Sequence, residues 1–156
     1  MSNWVRWTLP VAAVTAAASP AYAVSYMSLG AAQKAAFPSA TSFVDHDGHS
    51  WKAMAGDRLL GLVVPDHVIG KHLYIDYTVA FDTTGRVTKV DILQYRESYG
   101  GEVRQAGWLS QFVGKTSGSA LRVGGDIRNI SGATLSSLHL TEGIKRLVGT
   151  YGAKGR

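Results

Sequence analysis

Between residues 72 and 93 polar and apolar side chains change places at almost every step. Leu73, Ile75, Tyr77, Val79 and Phe81 alternate with His72, Tyr74, Asp76, Thr78 and Ala80, and a period of two gives a strand that can bury one face. Asp82, Thr83, Thr84 and Gly85 supply turn chemistry, after which Val87, Lys89, Asp91 and Leu93 carry the chain back in extended form. This segment reads as a hairpin of a twisted antiparallel sheet. Upstream, residues 59–64 make a short apolar run closed by Pro65, which predicts a buried strand ending there. The stretch Asp45, His46, Asp47, Gly48, His49 and Ser50, between Val44 and Trp51, predicts an exposed bend.

Three segments change to a helical period. Ser28 is a candidate N-cap for a short helix with Leu29, Ala32, Ala36 and Phe37 near helical spacing and Pro38 as its stop. Trp108, Leu109 and Phe112 predict a second short helix, ended by Gly114. Leu140, Ile144, Leu147 and Val148 follow the i, i+4, i+7, i+8 pattern of an amphipathic helix that closes the domain. Residues 115–125 are polar and rich in Gly and Ser, hence loop, with residues 121–123 as a short edge strand. The expected fold class is α+β: one domain, a small twisted antiparallel sheet packed against a few helices on one side.

The N-terminal 23 residues break this pattern. Arg6 precedes an apolar run of roughly 12 residues, and Ala21, Tyr22 and Ala23 give the small-x-small spacing of a signal-peptidase site. The run is short of the roughly 20 residues a spanning helix needs. The expectation is a secretory signal over residues 1–23 and a mature domain over 24–156, exported to the periplasm or the outer face of the membrane. An uncleaved N-terminal anchor is the alternative. Cysteine is absent, which excludes disulfides, thiolate zinc sites, iron–sulfur clusters and c-type haem attachment. The formal charge is +5, but the 16 Lys and Arg residues are spread along the chain, so no nucleic-acid partner is expected.

The segment from Asp126 to Ser137 carries the chemistry. It is a run of small residues leading into the last helix, with hydroxyls at Ser131, Thr134, Ser136 and Ser137. Unpaired amides and the positive dipole end at a helix start favour an anion, and hydroxyls add donors. Gly132 and Ala133 leave room for another molecule to reach Thr134. An ordinary Ser/Thr helix cap uses the same residue types, and spacing alone does not separate the two. His46 and His49 with Asp45 and Asp47 have metal-ligand chemistry but read as a polar loop, so no metal is expected. Lys115, Arg122 and Arg128 either offset phosphate charge, dock a partner or sit as solvated surface.

Asp126, four residues, then Ser131-Gly132-Ala133-Thr134-Leu135-Ser136 resembles the D-x4-S/T-G-A-T/S-x-S/T signature of the FMN-binding domain family. That family includes flavin subunits of the sodium-pumping NADH:quinone reductase and Rnf complexes, the nitrous-oxide-reductase regulator and small exported flavoproteins. The resemblance implies that Thr134 receives FMN through a phosphoester bond, taken from FAD by a Mg2+-dependent flavin transferase. The transferase would recognise Asp126, Ser131, Gly132, Ala133, Thr134 and Ser136. The bound cofactor would contact Ser131, Gly132, Ala133, Leu135, Ser136 and Ser137.

The resemblance runs from about Tyr26 to Gly149. Residues 95–103 look like the family's E-x-x-G segment, which implies that Glu97, Gly100 and Gly101 line the flavin, while residues 108–115 match its short helix with a Q-F-x-G-K ending. Tyr99 and Trp108 are the expected aromatic neighbours of the ring. Ser98 and Tyr99 stand where the respiratory subunits have Thr-Pro, which makes this chain resemble the small exported members. The implied role is an electron relay between membrane or periplasmic redox proteins, with no residue acting as catalytic acid or base. A flavin-dependent reductase of a small substrate and a flavin-containing regulatory or assembly module are the alternatives.

Overall fold

In the computed structural model, which describes residues 24–152, six strands form one antiparallel sheet in the order β1-β6-β5-β4-β3-β2. They are β1 (Val24–Ser25), β2 (Ser42–Asp45), β3 (Trp51–Ala55), β4 (Arg58–Ile69), β5 (Tyr74–Asp82) and β6 (Val87–Tyr95). Three helices accompany them: α1 (Leu29–Ala36), α2 (Ala106–Leu109), continued by a 3-10 turn over Ser110–Phe112, and α3 (Thr134–Tyr151). The expected leader and its cleavage site after Ala23 lie outside the described residues.

The alternating segment forms the β5–β6 hairpin, with Ile75, Tyr77, Val79 and Phe81 all fully buried. Leu73 stays outside the strand and is partly exposed. On the return strand the alternation slips, because register shifts at Asp76/Tyr77 and Ala80/Phe81 insert extra residues. The buried set in β6 is therefore Val87, Val90, Ile92 and Tyr95, which pair with Phe81, Val79, Tyr77 and Ile75.

Two strand limits differ from expectation. Pro65 does not end β4, which continues to Ile69 and pairs Pro65 with Thr78. β3 reaches only as far as Val63, so beyond it β4 has a free side, where a residue without an N–H is tolerated. Residues 121–123 form no strand. Leu121 adopts a left-handed φ of 46°, its N–H and that of Arg122 donate to the Asp126 carboxylate, and only an isolated bridge links Val123 to Ile127.

The helices lie on both faces of the sheet, not one. α3 covers the face of Tyr77 and Val68, since a side chain at Gly143 would meet both. α1, capped by Ser28, contacts β4, β5 and β6 on the opposite face, where a side chain at Gly61 would strike the Phe37 ring that follows it. Gly61 and Val63 share that face with Ala80, the pairing partner of Val63. Thr78 and Ala80, outward-facing by pattern, are thus buried, and the fully buried Ala32 on α1 allows close approach. Each large apolar side chain removed from water contributes about 1.5–3 kcal/mol.

The predicted bend at residues 46–50 joins β2 to β3, and Asp47 fastens it to the end of α3. Asp47 Oδ1 accepts from the His49 N–H at 2.9 Å, the Ser50 N–H at 2.7 Å and the Ser50 hydroxyl at 2.9 Å, while Oδ2 accepts from the Tyr151 hydroxyl at 2.9 Å. The His49 N–H first, then the other donors, outweigh desolvation and hold the carboxyl at about 2 instead of 3.8. A depressed folded pKa means the stabilisation is fully present above about pH 4 and is lost as the pH falls through about 2. Melting curves of wild type and Asp47→Asn are expected to differ above about pH 4 and to converge toward pH 2. A difference that persists unchanged in acid would contradict this assignment.

Candidate functional site

The chain approaches α3 through Gly132, whose φ of +83° suits glycine, and then Ala133, which occupies the N-cap position. No side chain caps this helix and no acidic residue stands in its first turn. Thr134 is the first helical residue, not the cap, so the Ser/Thr-cap explanation of the motif does not hold. Its side chain is exposed, and the Asn129 amide donates to Thr134 Oγ1 at 3.3 Å. A hydroxyl at the positive end of an 18-residue helix is therefore open to another molecule.

The other hydroxyls of the motif divide. Ser131 is exposed and lines a hollow of 450 Å³ with Trp108, Arg128 and Asn129. Ser136 and Ser137 are buried and spend their hydroxyls within the protein. Ser137 Oγ donates to the Ala133 carbonyl at 2.9 Å, and Ser136 Oγ lies 3.3 Å from the Tyr95 hydroxyl. Ser136 still borders the space beside Thr134, whereas the Ser137 hydroxyl is turned back to its own helix. Leu135 is partly exposed beside Thr134.

The turn after β6 docks directly on this helix start. The Tyr95 hydroxyl donates to the Tyr99 carbonyl, and burial raises the phenol above its ordinary pKa, so it stays a donor. Gly100 has a φ of +83°, and a Cβ there would sit 2.8 Å from the Tyr95 hydroxyl and 3.0 Å from Ser136 Oγ. Only glycine lets the turn close against α3. Lys71, Tyr99, Gly100, Gly132, Ala133, Thr134, Leu135 and Ser136 then enclose a hollow of 270 Å³. Tyr99 and Gly100 also border a larger cleft of 610 Å³, whose walls include Tyr26, Tyr95, Glu97, Gly101, Glu102 and Arg104.

Glu97 does something the sequence did not suggest. Its Oε1 accepts from the N–H groups of Lys71 at 2.6 Å, His72 and Leu73 at 2.8 Å, clamping the β4–β5 turn. Burial opposes the charge, but these three donors outweigh it and lower the Glu97 pKa. The carboxylate lines the cleft, with Oε1 committed to the backbone of the turn. Trp108 is likewise a core residue: it is 5% exposed, packs edge-on against Phe112, and its indole N–H donates to the Arg128 carbonyl at 2.7 Å. Tyr99 is the opposite, 87% exposed at the mouth of the cleft.

The segment around Trp108 supports the Thr134 loop from beneath. Gln111 Oε1 accepts the Arg128 N–H at 2.8 Å, and Lys115 Nζ pairs with Asp126 Oδ2 at 2.7 Å. The Lys115 ammonium first, then the Arg122 and Leu121 N–H groups, holds the Asp126 carboxyl well below the usual carboxylate range. Asp126 and Lys115 are thus engaged with each other, and both shape the loop leading to Thr134. Asn129 lies within the Asp126–Ser137 segment, but Lys71, Tyr26 and Arg104 do not follow from the sequence. No local motif marks them, because the fold brings them in from distant segments.

A sequence description of the FMN-binding domain matches residues 70–149, which span the β4–β5 turn, the Glu97–Gly101 turn and the Thr134 loop. The chain belongs to the FMN-binding domain family. Its fold is similar to that in the crystal structure of NqrC from Shewanella oneidensis, with a TM-score of 0.51 at 18% identity, over 75% of this chain and 69% of that one. No curated protein matches the sequence. For an FMN-binding domain the geometry fits the group named: an open hydroxyl and uncapped amides suit a phosphate, and the adjoining 610 Å³ cleft is within the size range of small-molecule sites.

Proposed function

We propose that this chain is an exported flavoprotein carrying FMN on Thr134 through a phosphoester bond, and that it relays electrons between membrane or periplasmic redox proteins. One observation carries the reading: Thr134 opens at an uncapped helix start into a hollow that shares Tyr99 and Gly100 with the 610 Å³ cleft. A threonine hydroxyl is a weak nucleophile, so a Mg2+-dependent flavin transferase supplies base and metal for its attack on FAD, with AMP leaving. When bound, the isoalloxazine supplies one- or two-electron chemistry. The first-turn amides of α3 and the Asn129 amide would hold the phosphate, Lys71 would add a positive charge beside it, and the exposed Tyr99 would stand beside the ring.

Co-expression of the chain with a flavin transferase tests this. The intact mass is expected to rise by one FMN less one water, and an unchanged mass would end the reading. A second reading, direct reduction of a small substrate, is favoured by an apolar hollow of 360 Å³ that shares Tyr26 and Arg104 with the cleft. Turnover with soluble donors and acceptors alone would support it, whereas re-oxidation only by a protein partner supports the relay.

A further inference from the structure

We infer that Arg104 sets the reduction potential of the flavin ring held in the 610 Å³ cleft, an inference that rests on the Thr134 reading above. Arg104 belongs to the cleft wall, and its guanidinium is fixed there by three contacts. Nε donates to the Gly101 carbonyl at 2.9 Å, Nη1 donates to the Tyr26 hydroxyl, and Cζ stands 4.9 Å above the Tyr26 ring. The guanidinium lies close over Gly101, where a Cβ would stand 3.3 Å from Nε and 3.4 Å from Nη2. Tyr26 is itself anchored, its N–H donating to the Leu93 carbonyl at 2.9 Å.

Arg104 is also the one cation among the described residues of the cleft wall, and no carboxylate pairs with it directly. Among the described residues, Lys89, Arg96, Lys115 and Arg146 form ion pairs with Asp91, Asp76, Asp126 and Asp66, and Arg104 forms none. Glu97 stands in the same wall as a carboxylate whose Oε1 is held by the three turn amides, so its negative charge is fixed in place and opposes that of Arg104. Glu102 is the one other charged group bordering the cleft, exposed and of opposite sign. A ring that takes up two electrons and one proton carries one more negative charge than the oxidised ring. A fixed cation beside it therefore lowers the energy of the reduced form more, and pre-organisation spares the cost of moving the cation into place.

The test is a spectroelectrochemical titration of the FMN-loaded chain and its variants. Arg104→Gln is expected to shift the reduction equilibrium about tenfold toward the oxidised ring, a potential about 30 mV lower for a two-electron couple. Glu102→Gln is expected to move it the other way, an opposition of sign that a merely structural role would not give. Tyr26→Phe keeps the charge but loosens it, and is expected to lower the potential by less than Arg104→Gln. An Arg104→Gln protein that loads FMN and keeps the wild-type potential overturns the inference and leaves the Thr134 reading intact. Should that variant not load, an unchanged potential in Tyr26→Phe overturns it equally. A wild-type chain that acquires no FMN overturns both.

Discussion

Thr134→Val, co-expressed with a flavin transferase, is expected to remain at its unmodified mass while Thr134→Ser gains FMN like the wild type. Valine keeps the shape of threonine and removes only the hydroxyl. That hydroxyl accepts one long contact from Asn129 at 3.3 Å, and the side chain is exposed, so its loss leaves the fold untouched. Stability should stay within about 0.5 kcal/mol of wild type, the usual range for surface changes away from caps and cores. A melting curve beside the mass spectrum therefore separates loss of the acceptor from loss of the fold. FMN still attached in the valine variant would move the linkage to another residue, and Ser131 would be the next to examine because it is the other exposed hydroxyl of the motif.

Gly143→Leu is expected to be the most damaging single substitution in the helix–sheet contact. A Cβ at Gly143 would lie 2.5 Å from the Tyr77 hydroxyl and 2.5 Å from Val68 Cγ1. Neither neighbour can yield cheaply. Tyr77 is fully buried and donates to Asp66 at 3.0 Å, and Asp66 is itself held by Arg146 of α3 at 2.6 Å. Burial first, then the adjacent Asp66 carboxylate, pushes the Tyr77 phenol well up, so it stays protonated and keeps donating. Overpacking of this kind costs about 1–3 kcal/mol for small additions. A leucine should cost about 3 kcal/mol or more and lower the melting temperature by about 10 °C. Because α3 also carries Thr134, flavin loading should fall with it; an unchanged melting temperature would show that α3 can stand off from the sheet.

The sequence displayed what is local. The alternation of Ile75, Tyr77, Val79 and Phe81 in β5, the Ser28 cap and the stripe of Leu140, Ile144, Leu147 and Val148 each lie within one element, and each formed as its period demands. The bulges in β6, the passage of β4 through Pro65 and the placing of α1 on the far face depend on neighbouring strands, which no period within one segment reveals. At the site, the contiguous run around Thr134 was legible because its chemistry is in a single turn of chain. The burial of Ser136 and Ser137 was legible too, had the helical stripe been extended backward. Ser136 precedes Leu140 by one turn, and Ser137 precedes it by three residues, so both share its inward face. Glu97 and Arg104 were not legible in their observed roles. Their partners lie 24 to 26 residues and 78 residues away in the chain.

The clamp that Glu97 makes on residues 71–73 puts events in order of time. It joins segments that meet only when β5 and β6 have paired, whereas the backbone hydrogen bonds within α3 link residues four apart. Helices form faster than long-range strand pairings close. In a chain folding from the unfolded state, the helix that begins at Thr134 is thus expected to form before the cleft beside it closes.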